Sequence, residues 1–143
     1  MTEQSVERTQ LCVRILQHGG TLDDLPKEKL PTLAEVLNEC LGQSDLPVKT
    51  AAELSGINNA TIHKILNNEL HPTRNTLLRL ALVMKLSFEK TQLLLKSGNR
   101  SLLSGWRERD CMIMDGIIHQ KKLWDVDREL TKKGLRDLYS KQD

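Results

Sequence analysis

Aromatic side chains are scarce: two Trp, one Tyr and one Phe among 143 residues. A core must therefore be assembled from Leu, Ile, Val, Met and Ala, which suits packed helices better than sheets. Long apolar runs are also missing. The best stretch, Leu77 to Met84, is interrupted by Arg79, and nothing approaches the roughly 18 residues that span a bilayer. The start, Met1-Thr2-Glu3-Gln4, is polar and acidic, unlike a signal peptide. Cys12, Cys40 and Cys111 form no Cys-x-x-Cys pair. The expectation is reduced core thiols in a cytoplasmic protein, with Cys40 and Cys111 inert on apolar helix faces. His18, His63, His71 and His119 lack metal-ligand spacing, and there is no Gly-rich phosphate loop or nucleophile motif. No metal, cofactor or enzymatic activity is expected.

What charge is present is unevenly placed. Residues 1–45 carry four basic and eight acidic side chains, residues 46–100 eight and three, and residues 101–143 nine and eight. The basic excess in the middle suits an anionic partner, although solvated Lys and Arg are common on any surface.

Hydrophobic spacing predicts an all-α chain. A short helix over residues 5–18, with Val6, Val13 and Leu16 on one side, stops at Gly19-Gly20, and a turn-rich connection with Pro26 and Pro31 follows. Thr32 to Glu35 is a capping box opening a helix with Leu33, Val36, Leu37, Cys40 and Leu41 on one face. Further helices are expected at about Val48–Leu54, Asn59–Asn67, Arg74–Met84 and Ser87–Lys96. Two more are expected, one between Trp106 and His119 and one at about Leu123–Lys132. The organisation read from this is a helical extension at 1–30, a domain at 31–100 and a C-terminal extension at 101–143.

The stretch "LSGINNATIHKILNNELHP" carries the functional signal. A helix, a Gly-containing turn and a second short helix make a helix-turn-helix. Ala51-Ala52 supplies the small residues where the helices cross. Gly56 permits the left-handed turn, Ile57 is the buried residue after it, and Ile62 and Ile65 anchor the second helix. Such geometry also occurs in proteins that never touch DNA.

From Thr32 to Asn99 the chain resembles the Xre, or Cro and lambda-repressor-like, DNA-binding family. "LPVKTAAELSGINNATIHKILNNELHPTRNTLLRLALVMKLS" is similar to the family's helices two to four. The remainder resembles a bacterial subgroup with two extra C-terminal helices. The resemblance implies a five-helix lambda-repressor-like domain whose third helix enters the major groove. Asn59, Ala60, His63 and Lys64 then match the base-reading positions. Lys49, Thr50, Asn58, Thr61, Asn67, Asn68, His71 and Arg74 match positions suited to the DNA backbone. Each has a plainer reading: Asn58 and Asn59 as helix caps, His63 as an exposed polar filler, Arg74 as the solvated start of a helix. The sequence departs from the family at Pro47 and Val48, where a Ser or Thr cap and a phosphate-touching Gln are usual. Lys49 or Thr50 substitutes.

The function expected is a sequence-specific transcriptional regulator that binds double-stranded DNA as a homodimer, with no membrane association. Trp106, Ile113, Ile117, Trp124 and Leu130 are candidates for a dimer face or for intramolecular core. Lys121-Lys122 and Lys132-Lys133 read as exposed helix ends rather than a second DNA patch. The alternative is an antitoxin- or adaptor-like module that keeps the fold and binds a protein through its N- or C-terminal helices.

Overall fold

A computed structural model describes residues 3–141, with side chains from Glu7 onward. Among the described residues there are eight α-helices and no strand. The chain forms two compact units, divided between Leu30 and Pro31.

The first unit contains α1 (Glu3–Gln17) and a 3₁₀ turn at Leu22–Asp24. The helix ends where Gly20 N–H donates to the Ile15 carbonyl at 2.8 Å. Arg8 donates to the carbonyl oxygens of Pro26 (3.1 Å) and Glu28, folding the proline-bearing connection back along the helix. Val6, counted from the sequence on an apolar side of this helix, lies outside the described side chains.

The second unit holds α2 (Leu33–Gln43), α3 (Val48–Ser55), α4 (Asn59–Leu66), α5 (Arg74–Val83), α6 (Phe88–Ser97), α7 (Glu108–Ile118) and α8 (Leu123–Lys132). Local chemistry sets their starts. Thr32 and Glu35 satisfy each other's backbone N–H groups, while Thr73 and Ser87 accept from Thr76 and Lys90. Helix ends turn on left-handed residues: Asn68 (φ 60°) after α4 and Asn99 (φ 56°) after α6.

Helix α5 is the hub. It packs against α3, α6, α7 and α8, and Leu77, Leu78, Leu80, Ala81 and Leu82 are all buried. The core continues into the C-terminal helices through Ile113, Val126 and Leu130, each fully buried. At the crossing of α7 and α8, a Cβ on Gly116 would lie 2.5 Å from a Val126 methyl, so the helices approach as closely as a glycine allows. Helices α7 and α8 and the segment up to Leu138 therefore share the core of the second unit. Ile113, Ile117 and Leu130, weighed from the sequence as a dimer face, belong to this intramolecular core.

Two sequence expectations are corrected here. Trp106 lies ahead of α7, not in it, and is 97% exposed. The apolar face it was assigned to begins instead with Ile113. Cys111 is exposed rather than inert core, with its thiol 3.4 Å from the Gly105 carbonyl. Cys40 is buried, and burial pushes its thiol above the ordinary value.

The C-terminal helices are tied to α5 by a buried ion pair. Arg74 Nη1 and Nη2 donate to the two Asp110 carboxylate oxygens at 3.0 and 2.9 Å. Its Nε donates to Ser101 O at 2.9 Å, and Nη2 also to Leu102 O at 3.1 Å. Asp110 in addition accepts from Ser104 N at 3.0 Å. Both side chains are almost wholly buried, 8% and 2% exposed.

Removing one partner leaves the other charge buried and uncompensated. Asp110→Ala is therefore expected to lower stability by roughly 3–5 kcal/mol, read as a lower urea midpoint with little change in slope. A thiol reagent is expected to label Cys111 in the native protein and Cys40 only on unfolding. Cys111→Ser should remove the corresponding fast phase.

Candidate nucleic-acid interface

The site is built from α3, the turn after it and α4. Helix α3 starts at Pro47, which makes no side-chain cap. Lys49 on its first turn is exposed and Thr50 half-buried, whereas Ala51 and Ala52 are buried against the core. The helix stops at Gly56, whose φ of 71° reverses the chain. Ser55, buried, locks the reversal: its hydroxyl donates to Ala51 O at 2.6 Å and accepts from Ile57 N at 3.3 Å. Ile57 then enters the core.

Asn58 caps α4, its side-chain oxygen accepting from Ala60 N at 2.8 Å. One face of α4 buries Ile62 and Ile65 almost completely. The opposite face leaves Asn59, Ala60, His63 and Lys64 exposed, with Thr61 half-buried at the edge. These four follow i, i+1, i+4, i+5 spacing, so they form one outward strip. Beyond the helix, Glu69 N–H donates to Lys64 O at 2.8 Å and Asn68 N–H to Ile65 O at 3.1 Å, closing the C-terminus. Asn67, Asn68 and His71 are exposed on the loop that follows.

Arg74 does not join them. The sequence reading placed it beside a phosphate, but its guanidinium points inward to Asp110 and the 101–102 carbonyls, and the residue is 6% exposed. An acidic partner supplied by α7 offers a bidentate fit that no solvent-facing position matches. Of the predicted contact residues, Lys49 and Lys64 are the permanently charged ones that stay exposed.

The structure adds residues that the sequence did not single out. The segment after α8 runs along α5. Leu138 is fully buried, and its N–H donates to Asp127 at 2.7 Å. Asn75 Nδ2 donates to Ser140 O at 2.9 Å, and Arg109 donates to Asn75 Oδ1 at 2.8 Å and to the carbonyls of Arg136 and Asp137. Arg79 donates from Nη1 to Ser55 O at 3.2 Å, and its guanidinium lies 4.7 Å from the Tyr139 ring centre. Burial lowers the Arg79 pKa and raises that of Tyr139 from their ordinary values. The buried Arg79 Nε lacks a hydrogen-bond partner, and the aromatic face partly compensates. Tyr139 thus backs the turn between α3 and α4. Only a tyrosine-bearing tail following a predicted helix hinted at this.

Gly56 tests the arrangement. A Cβ there would meet Tyr139 at 3.2 Å in a left-handed backbone. Gly56→Ala is expected to cost about 1–2 kcal/mol from the backbone alone. Tyr139→Ala relieves the contact but not the backbone strain, so the double variant should keep most of that loss in urea unfolding.

No family model, no curated protein and no solved structure matches this chain.

Proposed function

We propose that the protein is a sequence-specific DNA-binding regulator of Xre type. In this reading α2–α6 form a lambda-repressor-like helix-turn-helix domain and α4 lies in the major groove. The observation that carries it is the two-faced α4 behind a left-handed Gly56 turn. Ile62 and Ile65 fix it to the core, while Asn59, Ala60, His63 and Lys64 face outward together. Asn59 suits adenine, Lys64 suits guanine, and Ala60 offers a methyl for thymine. Lys49, Thr50, Asn67, Asn68 and His71 flank the strip where backbone contacts position the helix. The protein has no bond to make or break in this role; it acts by occupying a site.

Lys64 is the only permanent charge on α4, so one protomer neutralises few phosphates. A homodimer on half-sites about one helical turn apart doubles both contacts. Trp124 (65% exposed) and Ile118 (62%) remain on the surface of α8 and α7 for a second copy. They also support a second reading, a protein-binding adaptor on the same fold.

The two readings separate by titration. The regulator binds one family of sites selected from random duplexes, with affinity falling as salt rises. Asn59→Ala or Lys64→Ala is expected to cost roughly 1–3 kcal/mol of discrimination at single base positions. Lys49→Ala should weaken all duplexes alike. Binding that shows neither sequence preference nor salt dependence would leave the adaptor reading.

A further inference from the structure

Helix α4 is anchored to the core by Ile62 and Ile65. Its first two residues, Asn59 and Ala60, precede both anchors. Where they point depends also on the turn that delivers them, Ser55–Gly56–Ile57. Two side chains remote in sequence grip that turn. Arg79 of α5 is half-buried and donates from Nη1 to Ser55 O at 3.2 Å, while its buried Nε has no hydrogen-bond partner. A cation held by one bond is poorly fixed, and the Tyr139 ring, its centre 4.7 Å from Arg79 Cζ, supplies the second contact. The ring also reaches the turn itself. A Cβ on Gly56 would lie 3.2 Å from Tyr139 Cε1 and 3.8 Å from Arg79 Nη1. Turn, cation and ring therefore meet at one place, three residues before Asn59.

The ring is held there from several helices. Leu138 beside it is fully buried, and its N–H donates to Asp127 of α8 at 2.7 Å. The Asp137 carboxylate accepts from Tyr139 N at 3.0 Å and from Ser140 N at 2.8 Å. Asn75 of α5 holds Ser140 O, and Arg109 of α7 holds the carbonyls of Arg136 and Asp137. The position of Tyr139 is thus set by α7 and α8 as well as by α5. Residues outside the five-helix domain reach the turn that opens its outward-facing helix.

We infer that Tyr139, acting through Arg79, is a positioning residue for base reading. The C-terminal segment holds the turn after α3 so that Asn59 and Ala60 meet their bases. Lys64 lies between the anchors Ile62 and Ile65 and does not depend on it. This role deepens the DNA-binding reading of α4 and rests on it. Recognition side chains must be held within about 0.5 Å of the productive geometry, which is the work of such supporting contacts.

The test compares the affinity of the full chain for a selected duplex and for its single-base variants. The position read by each residue is the one whose preference its own Ala variant abolishes. Tyr139→Ala should lose about fivefold or more of the preference at the Asn59 position, the lower end for one bidentate contact. The preference at the Lys64 position should be unchanged. Tyr139→Phe keeps the ring over the guanidinium and should behave as the parent. Arg79→Gln should reproduce the Tyr139→Ala pattern, and the double variant should lose little more than either single one. Tyr139 is 46% exposed, so its variants should fold, and urea unfolding under the binding conditions checks this.

If the parent shows base preference and Tyr139→Ala keeps it everywhere, or loses it at all positions alike, the positioning role is overturned and the reading by α4 stands. Additive losses in the double variant overturn the route through Arg79. If the parent shows no base preference, the DNA-binding reading falls and the positioning role falls with it.

Discussion

The Arg74–Asp110 ion pair is the constraint on which the second unit depends. Two charges are withdrawn from water at a cost of several kcal/mol each, and only a complete set of partners offsets it. Here the planar guanidinium meets both carboxylate oxygens, and its remaining donors meet Ser101 and Leu102. The carboxylate also takes Ser104 N–H. Because the fork is rigid, this set of bonds fixes direction as well as distance. It aligns the start of α5, the start of α7 and the connection after α6 in one stroke. A lysine at position 74 would keep the charge and lose the geometry.

The same pair redistributes charge over the surface. The basic excess of residues 46–100 includes Arg74, which is spent inside, and its counterion is an acid of residues 101–143. The central surface is thus less cationic, and the C-terminal surface less acidic, than the sequence implies. The outward strip of α4 holds one lysine.

Much of the fold was legible because its determinants are local. Thr32 with Glu35, Thr73, Ser87, Gly56 and Asn68 announce helix boundaries through bonds spanning a few residues or through a permitted left-handed backbone. The outward strip of α4 followed from the inward placement of Ile62 and Ile65. What was not legible involves partners far apart in sequence. Arg74 looked like a surface residue because its carboxylate lies on α7. Trp106 was assigned to an apolar face because periodicity counts hydrophobic letters without knowing where the helix starts. Cys111 failed for the same reason. Leu138 and Tyr139 follow the last helix with no periodic pattern, so nothing local marked them as packing residues.

The tail also has a consequence in time. The turn after α3 is completed by Tyr139, and α5 is bound to the same segment through the Asn75–Ser140 bond, a separation of 65 residues. At synthesis rates of about 5–20 residues per second, those partners emerge several seconds after α5 itself. During that interval α3, α4 and α5 exist without the ring that shields Arg79, and for its earlier part without Asp110 beside Arg74. A nascent chain therefore carries both arginines with their final partners not yet made. The element that would read DNA acquires its definitive packing only when the C-terminal segment arrives.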